Sequence, residues 1–468
     1  MIGTEPQIRS HHLLQIATAI LVVLLLTTCS RRVDTRDRMS AEPTDSDQLT
    51  EEQQEMIQQL ESIGYLAAAE HGPERPGLKP AKTYDEAKLA KGINFVVSSH
   101  GREAYLMDSD GQVLHTWSHR ALRPEKRRRT KKILKTWYIR KAHLLPSGEL
   151  LAILGFPHDQ ATPKDFRRVG MVKLDRDSNT IWEYLGKAHH GVDVKEDGTI
   201  LVLTHEARVN PFIHQSNPVL EDFVVSLDKD GSELRRVSVL ECLKNAGSSE
   251  LIARMRALAD EGNGDILHTN SLEIIGSRLA DRLPGAKPDN VLISMREIHA
   301  IAVLDLERQV AIWTATGTFR AQHHATVLEN GNIMLFDNQG PGGEYSAVRE
   351  FDPETMSEVW AYVGSPRQPF HSATVGATYR LPNGNTLIIE GKKGRVFEVT
   401  RQHAIVWDYM NPHRLLDDRI ARIWDMQRLD PDFPLEWLER PAGPIASLTS
   451  GPEGDGTPPA SAAAISSK

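Results

Sequence analysis

Residues 371–389, HSATVGATYRLPNGNTLII, followed by RVFEVT at 395–400 and IVWDY at 405–409, decide the fold. The stretch reads as four strands. The first ends at the Asn383-Gly384 turn, where the chain needs a residue free to take positive φ. The second is Thr386 to Ile389, the third Val396 to Val399, and the fourth carries Trp407.

The same unit recurs upstream. His323 to Leu328 leads through Asn330-Gly331 to Ile333–Phe336, Ala347–Phe351 and Val359-Trp360. His190 to Val194 leads through Asp197-Gly198, and His143 to Leu145 through Ser147-Gly148, into similar strands. A further copy runs from His268 to Trp313. A sixth unit, Ile93–Val97, Ala104–Met107 and Val113–Trp117, lacks an innermost strand, and Arg422-Ile-Trp-Asp-Met426 is the candidate to fill it. The expectation is an all-β, six-bladed β-propeller of four-stranded blades over residues 91–432. Strands from both termini close the ring and leave no open sheet edge. The insertion Glu241–Asp260 reads as one surface helix bearing Leu243, Leu251, Ile252, Met255 and Leu258. Trp117, Trp182, Trp313, Trp360 and Trp407 recur on outer strands and read as blade packing.

Outside the repeats, Leu13 to Thr28 is an apolar run, so residues 1–30 read as a signal peptide or a membrane anchor and the protein as exported. Leu26-Thr-Thr-Cys29 looks like a lipoprotein cleavage box, with Cys29 the lipidated residue. Residues 31–90 read as a tether with a short amphipathic helix from Glu51. Residues 433–468 read as a disordered tail. Cys29 and Cys242 are the chain's two cysteines, which excludes a disulfide framework. A net charge of −8 argues against a duplex nucleic-acid partner, and the basic run Lys126–Lys132 reads as a solvated loop. Oligomeric state stays open.

In a propeller the first strand of each blade lines the axial channel, and His190, His268, His323 and His371 stand at that entry. His190 and His323 each lie eight positions before their turn glycines, Gly198 and Gly331. Alternation along a strand then turns their neighbours His189 and His324 sideways or away. The second strand of the His268 unit returns to the same face, bringing Arg296 beside His268. Imidazoles around a guanidinium make a pocket for an oxyanion. His143, His299 and His403 read as structural.

His268-Thr-Asn270-Ser, Ser294-Met-Arg296 and Gln322-His323 resemble the active-site motifs of the PAPS-independent arylsulfate sulfotransferases, and Leu381-Pro-Asn-Gly-Asn resembles the wider family. The resemblance implies that His323 accepts a sulfuryl group from an aryl sulfate and passes it to a phenolic acceptor. His268, Arg296 and His190 would then bind sulfuryl oxygens and assist the leaving phenolate, with Asn270 and His371 bordering the substrate. Neither a metal nor a cofactor is expected. Two other readings stay open: a non-catalytic propeller that binds anionic or sulfated ligands, and an enzyme with a metal held by channel histidines.

Overall fold

The computed structural model describes residues 49–63, 80–119, 138–155, 170–415 and 419–439. The N-terminal apolar run, Cys29, the basic run and residues 440–468 lie outside the described residues. No described helix is long and apolar enough to cross a membrane.

Six antiparallel sheets form the propeller. From the axis outward, blade I is Ile423–Arg428, Asn94–Ser98, Glu103–Met107 and Val113–Ser118. Blade II is Tyr138–Leu144, Leu150–Gly155, Met171–Leu174 and Thr180–Tyr184; blade III is Ala188–Val194, Ile200–Val209, Pro218–Leu227 and Glu233–Ser238. Blade IV is Thr269–Ile274, Val291–Met295, Ala300–Asp305 and Val310–Thr316; blade V is His323–Val327, Ile333–Asp337, Ala347–Phe351 and Glu358–Val363. Blade VI is Ala377–Arg380, Thr386–Glu390, Arg395–Val399 and Ile405–Met410. The innermost strands touch their neighbours around the whole ring.

Blades stack face to face, so a second strand is covered on both sides and reads as an apolar run rather than an alternation. Ile333–Asp337 and Val291–Met295 are buried throughout, whereas the outer Glu358–Val363 keeps several side chains in solvent. Each fully buried Leu, Ile or Phe in these layers contributes roughly 1.5–3 kcal/mol. The recurrent tryptophans add a latch between blades. The indole N–H groups of Trp117, Trp182, Trp360 and Trp407 donate to Gly148, Lys229, Arg401 and Ser109, each carbonyl on a turn of the next blade. Turn chemistry sets the register: Gly331 has φ 77°, and a Cβ there would meet the Arg278 carbonyl at 2.5 Å.

The ring closes as the sequence implies, with Ile423–Arg428 pairing to Asn94–Ser98. At this seam Arg428, 1% exposed, meets Glu398 at 2.6 Å and also donates to Asn94 Oδ1 and the Ala90 carbonyl.

Four local expectations change. Ala81–Thr83, placed in the tether by the sequence, adds a fifth, outermost strand to blade VI. Past residue 432, Phe433, Leu435, Trp437 and Leu438 pack against the core between blades I and II. The insertion makes two helices, Val239–Asn245 and Ser249–Asp260, because Ser238 caps the first and Gly247 at φ 69° ends it. Finally, His371 precedes the first strand of blade VI, which begins only at Ala377. The N-terminal helix, Glu51–Ile63, docks Leu60 on Ala207 and Leu220 of blade III.

Candidate active site

Three blades deliver the predicted residues to one end of the channel. His190 stands in the first strand of blade III, His268 just ahead of that of blade IV, and His323 opens that of blade V. The His190 and His268 rings lie 5.0 Å apart, centroid to centroid. Arg296 follows the second strand of blade IV, and its backbone N–H donates to the His268 carbonyl at 3.2 Å. Its guanidinium pairs with Glu297 and lies close enough to His323 to depress that imidazole's pKa.

Gln322 is fully buried and fastens blade V to blade IV. Its side-chain amide donates to Ser294 Oγ and to the carbonyls of Met295 and Ala300, while its backbone carbonyl accepts from Asn270 Nδ2 at 2.8 Å. Asn270 thus positions the backbone immediately before His323, and its Oδ1 is buried without a partner at the cavity wall.

The hydrogen bonds settle the state of His323. Its Nδ1 lies 2.6 Å from Asn338 Oδ1 and 3.1 Å from the Ala321 carbonyl. Asn338 Nδ2 donates to the carbonyls of Ser372 and Val375, which fixes the amide with its oxygen toward the imidazole. Both neighbours of Nδ1 are acceptors, so Nδ1 carries the proton and Nε2 keeps its lone pair. Burial, and then the charges of Arg296 and His268, push the pKa of His323 down to about 3. It is a neutral imidazole with an unengaged Nε2 lone pair across the ordinary pH range.

His268 is biased in the opposite direction. Burial disfavours its imidazolium, but Asp265, 2.5 Å from Nδ1, more than offsets this and raises the pKa above the ordinary 6.5. One site therefore pairs a histidine held neutral with one whose protonated form is favoured. His190 is held well below its usual pKa by burial and by Arg140, whose guanidinium touches its Nε2. Arg140 is 7% exposed and stacks over Trp424.

Alternation does not hold at the mouth. His190 and His324 both adopt positive φ, 48° and 51°, inside bulges where the pairing register slips. His324 therefore faces the channel beside His190 instead of turning away. It contacts Tyr379, which donates to Asp425, itself paired with Lys141 at 2.5 Å. His324, Tyr379, Lys141, His190 and His143 line a cavity of about 260 Å³, whose lining does not include His268, Arg296 or His323. His371 is not gathered in: its backbone N–H donates to Glu390, and it makes no hydrogen bond or ring contact with His190, His268 or His323. Cys242 is a buried free thiol, its pKa pushed up to about 12 by burial.

Three contributors escaped the sequence reading, although each carried a signal. Asp265 lies three residues before His268. Asn338 leaves the second strand of blade V just as Arg296 leaves that of blade IV. Arg140 stands eight residues before Gly148, the same count that aligns His190 and His323.

The histidines and arginines at the mouth of this six-bladed propeller form a cluster whose N–H groups could receive an oxyanion. The arylsulfotransferase (ASST) family model matches residues 164–412, more than half of the chain, and the protein belongs to that family. No curated protein sequence matches it. Among solved structures, a protein of unknown function from Bacteroides caccae is 11% identical, covering 72% of this chain and 98% of its own, with a TM-score of 0.43. A streptogramin B lyase is 11% identical over 70% of this chain and 86% of its own, with a TM-score of 0.37. The WD40 β-propeller domain of Doa1 is 10% identical over 78% and 96%, with a TM-score of 0.39.

Proposed function

We propose that the protein transfers a sulfuryl group from an aryl sulfate ester to a phenol through a sulfo-histidine at His323, without a nucleotide sulfate donor. The observation that carries the reading is the locked tautomer of His323, a bare Nε2 beside fixed positive charge. Nε2 attacks sulfur as the bond from sulfur to the aryl oxygen breaks. The bonding pair leaves on that oxygen, which takes the proton of His268. The acceptor phenol then attacks the sulfur, the N–S bond breaks, and the phenolic proton returns to His268. Such a transition state is loose and needs positioning and charge stabilisation above all. Arg296 and Arg140 supply permanent cations for the sulfuryl oxygens, and His190 sits between Arg140 and His268. Two half-reactions give ping-pong kinetics with a chromogenic aryl sulfate and a phenol acceptor; lines that intersect in double-reciprocal plots speak against the covalent intermediate.

Asn338 acts through His323 as a positioning residue. Asn338→Ala is expected to lower kcat about 100-fold with KM little changed, because the wrong tautomer becomes accessible. An equal rise in KM with kcat intact contradicts that role.

The pH profile follows from the two histidines. His323 stays neutral down to about pH 3, so it gives no acid limb between pH 5 and 7. The titratable and charged groups near His268 include Asp265, Glu297, Arg296, Asp222, His189 and the His190 and His323 rings. Its pKa is raised, so acid catalysis in the first half-reaction persists past 6.5 and is lost as pH rises through the folded value. Asp265→Asn removes the raising influence and leaves burial and Arg296, so the alkaline limb moves to lower pH. A limb that stays in place in this variant assigns the proton elsewhere.

Export and attachment through Cys29 complete the proposal, supported by the apolar run ahead of it. Recovery of the full chain in membranes, lost in Cys29→Ser, is the expected result for a lipid anchor; retention in that variant points to an uncleaved helix.

A further inference from the structure

Beside His190, three neighbouring strands of blade III bring together groups that the sulfuryl chemistry does not use. His205 in Ile200–Val209 stands directly opposite Asp222 in Pro218–Leu227, and His189 lies on the adjoining innermost strand. All three are at most 2% exposed, and their nitrogen and carboxylate donor atoms lie within 4.8 Å of one another.

We infer that His189, His205 and Asp222 bind a divalent first-row transition-metal ion, with zinc favoured by two imidazoles and one carboxylate. His189 spends Nδ1 on His190 Nδ1 at 2.8 Å, while its Nε2 is buried without a hydrogen-bond partner. That Nε2 faces Asp222 Oδ1 at 3.6 Å, beyond hydrogen-bond reach. Two donors on one tetrahedral zinc ion, each bonded at about 2.0–2.1 Å, stand about 3.3–3.5 Å apart, close to this spacing. The His189 and His205 rings stack 4.7 Å apart with planes 22° from parallel, which sets their edges side by side. The outer hydrogen bonds expected of a metal site are in place. Thr269 N–H donates to Asp222 Oδ2 at 2.7 Å, leaving Oδ1 turned toward the imidazoles, and His190 holds the far nitrogen of His189.

An ion here would reach the mouth through one bond. Coordination at His189 Nε2 places the proton on its Nδ1, which donates to His190 Nδ1. His190 Nε2 would then carry a proton and could no longer accept from the Arg140 guanidinium that touches it. The site does not depend on sulfuryl transfer, since a binding propeller would hold the ion equally well.

The test is metal stoichiometry of the full chain, stripped with chelator and titrated with zinc. We expect one ion per chain, with affinity lowered at least about 100-fold in His205→Ala and in Asp222→Asn. Glu297→Gln, at the separate cluster of Asp265, His268 and Glu297, should leave that stoichiometry unchanged. Should a variant fail to fold, cobalt titration of the wild-type chain reads the site directly, because a four-coordinate nitrogen and oxygen set gives visible absorption bands. A wild-type chain that takes up no ion, a cobalt spectrum without those bands, or binding lost only in Glu297→Gln overturns the assignment. Zinc uptake without aryl sulfate turnover sinks the sulfotransferase reading alone, and the converse sinks the metal site alone.

Discussion

His323→Ala is expected to lower aryl sulfate turnover by about 10,000-fold or more while the propeller stays folded, as circular dichroism and the thermal midpoint would report. Among the described residues at the mouth, the imidazole is the one group with both a fixed tautomer and an unengaged lone pair, so no described neighbour replaces it. His268 is biased toward its protonated form by Asp265, His190 is held beside Arg140, and His324 is engaged with Tyr379. The structural cost should be small by comparison. The ring's hydrogen bonds are to the Ala321 carbonyl and Asn338 Oδ1, and leaving those acceptors bare costs about 1–3 kcal/mol. His268→Ala should fall less far, because Arg296 and Arg140 remain to steady the sulfuryl oxygens. Turnover in His323→Ala within tenfold of wild type would remove the proposed nucleophile.

The second large effect concerns stability. Glu398→Gln is expected to destabilise the chain by about 3–5 kcal/mol, read as a fall in the urea midpoint. Glu398 is fully buried, accepts from Ala90 N–H and Asn385 Nδ2, and faces Arg428 at 2.6 Å. Arg428 in turn belongs to the C-terminal strand that completes blade I. The amide keeps the shape but strands a guanidinium that is itself only 1% exposed, at the seam where the ring closes. A loss below about 1 kcal/mol, the scale of exposed ion pairs, would show that this pair does not hold the seam.

The propeller was legible because its signal is local and repeated. A turn glycine, an apolar second strand and an outer tryptophan recur at fixed offsets, and the missing innermost strand of blade I pointed to Arg422–Met426. What stayed illegible depends on contacts or on departures from regularity. The bulges at His190 and His324 add residues to one strand without marking the sequence, so a strict two-residue alternation turned His324 the wrong way. The strand Ala81–Thr83 is too short to show a period and owes its existence to the edge of blade VI. Topology placed Arg296 correctly because it follows the second strand of its blade, and the same rule applied to blade V would have found Asn338. Starting blade II at His143 instead of counting back from Gly148 hid Arg140. His371 shared the sequence phrase of a channel strand but lies in the loop ahead of it, where the Ser372 and Val375 carbonyls, rather than its ring, serve the site by orienting Asn338.

Mass spectrometry of the full chain after brief exposure to an aryl sulfate, without acceptor, tests the covalent step most directly. The prediction is one added sulfo group on the peptide containing His323, formed at neutral pH, discharged on addition of a phenol, and absent in His323→Ala. Release of the phenolate with no protein-bound sulfo group, or the label on another histidine, would contradict the account.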